Sequence, residues 1–188
     1  MNHTTNFRLV SAMNTAFGNP KGSPAAIDCD RIAKQSLNIA DELAEVFVAF
    51  GAQRSEARAA AQAFKSTLEG LRLIAHAAQV PVDIEGVRDG LCDIHVFGYG
   101  AHHLMGIDAD ADMRAVVDGV MTRFIKDEAD KAATIAKHAA AGVTDVYFEG
   151  EYPTMIMKSA SDQPDAPKGK FLKSASYAEP VFPPVIAA

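Results

Sequence analysis

The chain has 188 residues, 48% of them apolar, and a net charge of −6 from 24 acids against 18 bases. That is enough apolar material for one compact domain, or for a domain with a small appendage. The negative balance excludes nonspecific nucleic-acid binding, which needs a basic face to release counterions, but leaves room for a nucleotide-sized anion held locally.

No apolar run reaches membrane-spanning length and no cationic-then-apolar leader opens the chain, so a soluble cytoplasmic protein without membrane partners is expected. Cys29 and Cys92 stand in unlike contexts and are expected to be reduced thiols.

In chain order, Asn6 to Phe17 reads as a short helix with Phe7, Val10, Met13 and Phe17 inward, stopped by Gly18-Asn19-Pro20. After a loop over 18–27, a helix capped by Asp28 or Asp30 runs to a stop at Gly51. Its stripe of Ile32, Ile39, Leu43, Val46, Phe47 and Phe50 has core-facing spacing, and Asp41, Glu42 and Glu45 lie along one border of that stripe, with Asn38 a turn before Glu42.

Ser55 to Gln79 is Ala-rich and implies one helix, or two broken near Gly70. Arg54, Arg58, Lys65 and Arg72 are spread over it as a solvated face. Past Pro81, a second acid helix carries Glu85, Asp89 and Asp93 at steps of four and continues through Gly98, Gly100, His102 and His103, the glycines permitting close helix approach. Asp108-Ala-Asp110-Ala-Asp112 resembles the opening of a calcium loop. The glycine due at its sixth position is Met113, so a helix N-cap is the better reading.

If the two acid helices pack side by side, four to six carboxylates converge. Two unit charges about 6 Å apart repel by roughly 3 kcal/mol at an effective dielectric near 20, so something cationic is expected between them. A hard divalent ion, Mg²⁺ or Mn²⁺, suits carboxylate oxygens. A solvated acidic face is the competing reading.

Asp41-Glu42-x-x-Glu45 followed by Asp89-Gly-Leu-Cys-Asp93 resembles the paired acid motifs of the all-α nucleoside triphosphate pyrophosphohydrolases, the MazG-like superfamily, and above all its small phage-encoded members. The likeness extends through a short helix ending at Phe124 and the helix that follows. Gly90 stands where the family usually has Glu, with Asp89 as substitute, and Val120 stands where relatives tend to carry Asn.

The resemblance implies hydrolysis of a (deoxy)nucleoside triphosphate to the monophosphate and pyrophosphate, in a homodimer or homotetramer with active sites near subunit contacts. Glu42, Glu45, Asp89 and Asp93 are the expected metal ligands, with Asp41 or Glu85 orienting water. Gln35 and Asn38 are candidate contacts to base or sugar. A guanine-nucleotide preference in a phage modified-DNA pathway, a phosphoribosyl-nucleotide substrate, and a catalytically silent helical interaction protein are the alternatives.

The helix Asp127 to Ala141 is closed by Gly142, after which the texture turns to strand. Asp145 to Glu149 and Thr154 to Lys158 read as a β-hairpin turning over Gly150-Glu151-Tyr152-Pro153. Lys168, Lys170 and Lys173 form a basic cluster before a Pro-rich extended arm. Lys170 and Lys173 are candidate phosphate contacts, with lysines guarding an exposed sheet edge as the plainer reading. The expected architecture is mainly α: a bundle of four to five principal helices over 1–142, the catalytic domain, with a hairpin and tail appendage over 143–188.

Overall fold

The computed structural model describes residues 5–184. Six helices precede a small sheet: α1 (Asn6–Ala16), α2 (Cys29–Ala49), α3 (Arg54–Ala77), α4 (Ile84–Met105), α5 (Ala109–Met121), α6 (Glu128–Ala140), then β1 (Val146–Glu149), β2 (Ile156–Ser159) and β3 (Phe171–Leu172). The mainly helical class is as expected. Among the described residues no helix is long and apolar enough to cross a membrane.

The helix boundaries follow local chemistry. Asp28, Asp108 and Asp127 each accept a hydrogen bond from a backbone N–H of the turn they cap, satisfying donors that a helix start leaves unpaired. Asp108 therefore serves as the cap expected of it rather than as a calcium ligand. At the other end, Gly142 follows α6 with φ of 81°, a conformation that side chains disfavour. α3 runs unbroken through Gly70, where one glycine costs about 1 kcal/mol against Ala and a long Ala-rich helix absorbs it. Among the described residues no other element makes a close approach at Gly98 or Gly100: apart from the local helix backbone, nothing lies within 4 Å of a Cβ added at either.

Two compact units divide the chain, one spanning Gly22–Asp93 and the other formed by the segment before Gly22 together with the chain from Ile94 onward. In the second unit, α1 packs on α5, and the three-stranded antiparallel sheet has the order β1-β2-β3. Its core gathers Ile125, Val143, Met157, Ala166 and Leu172. Phe124, 2% exposed, closes a triangle of rings with Phe17 of the α1 end and Phe171 of β3, with centroids 4.7 and 6.0 Å from its own and 5.6 Å from each other.

The sheet departs from the expected hairpin in two ways. β1 and β2 pair from Val146↔Ser159 to Glu149↔Ile156, so the connection is longer than the four expected residues. Met155 is drawn instead to Ile125, with which it exchanges two backbone hydrogen bonds of 2.9 and 3.3 Å. β3 adds a third strand through Met157↔Leu172 and Lys158↔Phe171.

The Pro-rich arm is fastened rather than free. Ser174 donates to the Thr122 carbonyl at 2.7 Å, the Ala175 N–H donates to the Thr134 hydroxyl at 2.8 Å, and Ser176 donates through both N–H and hydroxyl to buried Asp130. Asp130 also accepts from the Lys126 N–H, so this buried carboxylate is held by donors on all sides.

Candidate functional site

The unit Gly22–Asp93 contains the proposed acids. Its principal packing is the antiparallel hairpin of α2 and α3. The seam is built from small side chains: Ala40 and Ala61 are its buried residues, with Ala33, Ala44 and Ala57 half-buried beside them. Small residues allow two helix backbones to approach closely.

Along one edge of the seam runs a ladder of ion pairs. Arg72 Nη1 lies 2.6 Å from Asp30 Oδ1, Lys65 Nζ 2.7 Å from Asp41 Oδ2, and Arg54 Nη1 3.0 Å from Glu45 Oε1. The bases expected to form a solvated face are thus, except for Arg58, the partners of the α2 acids. The cation that relieves the crowding of Asp41 and Glu45 is supplied by α3 itself. Arg72 also forks onto Glu69 through two hydrogen bonds, of 2.7 and 2.9 Å. That contact raises the Arg72 pKa further and, chiefly as a hydrogen bond, holds the Glu69 carboxyl below its usual range.

Glu42 has a different situation. At about 100° per residue, Gln35, Asn38 and Glu42 share a sector roughly 60° wide on the side of α2 turned away from α3. All three are exposed. On α4, Glu85, Asp89 and Asp93 repeat along one exposed line. Among the described residues Glu42, Glu85, Asp89 and Asp93 make no ion pair.

The side-by-side packing of α2 and α4 that would bring these acids together is not among the principal helix contacts of the chain. Among the described residues no group of three or more His, Cys, Asp or Glu is close enough to hold a metal ion. The four expected ligands, Glu42, Glu45, Asp89 and Asp93, therefore do not form a metal centre as they stand in one chain. His95, His102 and His103 gather none either. His102 Nδ1–H donates to the Gly98 carbonyl at 3.0 Å, and its Nε2 faces Asp112 Oδ2 at 3.6 Å.

The tail lysines belong to the other unit and are engaged there. Lys170 Nζ donates to the Asp165 carbonyl. Lys173 lies 3.9 Å from the centre of the Tyr177 ring and 3.6 Å from Glu179, whose carboxyl the Tyr177 hydroxyl and then Lys173 hold low. In the same unit a concavity of about 460 Å³ opens between α1, α5 and the β1–β2 connection, with Ala12, Phe17, Met121 and Ile156 among its lining. Glu149, its carboxylate, is committed to Lys158.

What sequence reasoning missed is the pairing role of Arg54, Lys65 and Arg72. Lys65 and Arg72 are seven apart, two turns of one face, and that spacing was the available signal. No family model, curated protein or solved structure matches the chain.

Proposed function

We propose that the protein is a Mg²⁺- or Mn²⁺-dependent pyrophosphohydrolase that converts a (deoxy)nucleoside triphosphate to its monophosphate and pyrophosphate, working as a homodimer or homotetramer. The support is the resemblance of the Asp41-Glu42-x-x-Glu45 and Asp89 to Asp93 motifs to those of the MazG-like enzymes. The observation that carries it is the selective neutralisation on α2: Asp41 and Glu45 have cation partners on α3, while Glu42 stands exposed beside the amides of Gln35 and Asn38. Asp89 and Asp93 are likewise uncommitted on α4. In this reading Glu42, Asp89 and Asp93 are the uncommitted ligands and Glu45 completes the set by exchanging Arg54 for the ion, with Asp41 and Glu85 flanking it and Lys170 and Lys173 meeting phosphate charge. Since the described residues of one chain do not gather these ligands, this reading requires assembly to bring them together.

The test is incubation with a panel of ribo- and deoxyribonucleoside triphosphates and Mg²⁺, with phosphate products identified directly. Pyrophosphate and monophosphate are expected. Orthophosphate without added pyrophosphatase moves the protein to another hydrolase class, and no turnover on any nucleotide overturns the reading.

A second reading is a catalytically silent helical interaction protein. The ion-pair ladder favours it, because a carboxylate held by Arg or Lys is already satisfied without a metal.

A further inference from the structure

In an acidic chain, the segment that follows β3 gathers positive charge. Lys173 Nζ lies 3.9 Å from the centre of the Tyr177 ring and the Arg123 guanidinium carbon 5.6 Å from it, so two cations share one aromatic ring. Lys137 Nζ and His138 Nε2 reach the same segment, donating to the Ser174 and Lys173 carbonyls, each at 2.9 Å. The backbone fixes the arrangement. The Ser174 N–H donates to the Arg123 carbonyl at 3.1 Å, and the Tyr177 N–H to the Ser174 carbonyl at 3.4 Å. Like charges held this near repel unless an anion lies with them.

The acids of the neighbourhood do not balance these bases. Asp130 has its oxygens taken by Ser176 and the Lys126 N–H. Glu179 meets Lys173 at 3.6 Å, with its side chain 76% exposed. Arg123 makes no ion pair among the described residues, and its Nε is buried without a hydrogen-bond partner. The Tyr177 hydroxyl is buried as well. It comes near enough to Glu179 to hold that carboxyl below its ordinary range, yet makes no hydrogen bond of sound geometry. A buried donor without an acceptor costs free energy, and two of them beside surplus positive charge mark where an anion from outside the chain fits.

We infer that Arg123, Lys173 and Tyr177 form a phosphate-binding site and that Glu179 is its built-in competitor, a carboxylate of the same chain that a phosphate group displaces. A phosphate suits these donors better than a carboxylate does. A phosphate monoester carries roughly −1.5 to −2 charge and about three acceptor oxygens at neutral pH, enough to meet the guanidinium, the ammonium and the phenol together. Glu179 is placed to leave without disturbing the fold. On one side the Ala178 N–H donates to the Thr122 hydroxyl at 2.9 Å, and on the other Pro180 presses on Gly119. The backbone therefore stays, and only the side chain rotates.

The inference rests on the reading of Lys173 as a phosphate contact but does not need turnover. Calorimetric titration of the full chain tests it, at fixed ionic strength and with a chelator present so that no divalent ion contributes. The probes are inorganic phosphate, pyrophosphate and a nucleoside monophosphate. Wild type is expected to bind, Glu179→Gln to bind about tenfold more tightly, and Arg123→Gln about tenfold more weakly. Tyr177→Phe, which keeps the ring under both cations, should also weaken binding. Glu151→Gln removes the same charge at the β1–β2 connection and should leave affinity unchanged. A nucleoside monophosphate bound more tightly than inorganic phosphate assigns the site to nucleotides, and the reverse or parity assigns it to the free anion; both support the site. Glu179 is exposed, so its variant is expected to fold, verified by circular dichroism, and it decides the matter should Arg123→Gln not fold. The absence of binding in both wild type and Glu179→Gln overturns the inference. So does an affinity that Glu179→Gln leaves unchanged or lowers, or a gain that Glu151→Gln reproduces. Phosphate binding sharpened by Glu179→Gln without any nucleotide turnover fails the enzymatic reading alone, and turnover in a chain whose phosphate affinity ignores Glu179 fails this one alone.

Discussion

Pro180 lies against Gly119 so closely that a Cβ on Gly119 would come 2.9 Å from the proline nitrogen and 3.0 Å from its Cα. Both obstructing atoms are backbone, so the neighbour has no side-chain rotation with which to yield. Gly119→Ala is expected to lift the arm from α5 and to destabilise the fold by about 1–3 kcal/mol, the usual cost of overpacking. Thermal unfolding and the rate of proteolytic trimming after Tyr177 measure it. An unchanged melting temperature with unchanged trimming would show that the arm does not contribute to stability.

Glu45→Gln is expected to abolish nucleotide turnover while changing stability by less than about 1 kcal/mol. The carboxylate's partner Arg54 is on the surface, where ion pairs contribute little. Asp93→Asn should have the same kinetic effect with no ion pair lost. Activity comparable to wild type in both would remove these acids from the site.

Lys173→Ala is expected to raise the Michaelis constant about tenfold, since a charged hydrogen bond to phosphate contributes roughly 1.5–3 kcal/mol. The variant also loses the Tyr177 and Glu179 contacts, so Lys170→Ala is the needed companion. If both leave nucleotide affinity untouched, the lysines serve only the tail.

Arg72 predicts a pH signature. Its hydrogen bond holds the folded Glu69 pKa below the ordinary carboxyl value of 4.5, so the unfolded chain takes up a proton first as acid is added. The stability this contributes is present in full above the unfolded value and lost as pH falls through the folded one. Titration of Glu69 followed by carboxyl NMR should give a midpoint below 4.5, and Arg72→Met should restore it.

The helices were legible because their signals are local. Asp28 before α2, Asp127 before α6 and the glycines after them each act within a turn of themselves. β3 was not legible, since Phe171–Leu172 is too short to show alternation, and it is a strand only because Met157 and Lys158 lie alongside. The same distinction divides the site. Asp41, Glu42 and Glu45 were placed by helix geometry, and Glu42 does stand beside Asn38. Their partners were not, because Lys65 is 24 residues from Asp41 and only antiparallel packing makes them neighbours. Counting the acids of α2 without the bases of α3 overstated the need for an added cation.

The unit that closes on Phe124 is discontinuous, taking Phe17 from one end of the chain and Phe171 from the other. It is therefore a late product of synthesis, whereas the hairpin is contiguous and whole as soon as α3 has been made. Roughly ninety residues separate Ala77 from Phe171, a head start of about 5–18 seconds at ordinary elongation rates. For that interval the hairpin has all of its own sequence while the sheet has not yet been translated, so the two units are completed in turn rather than together.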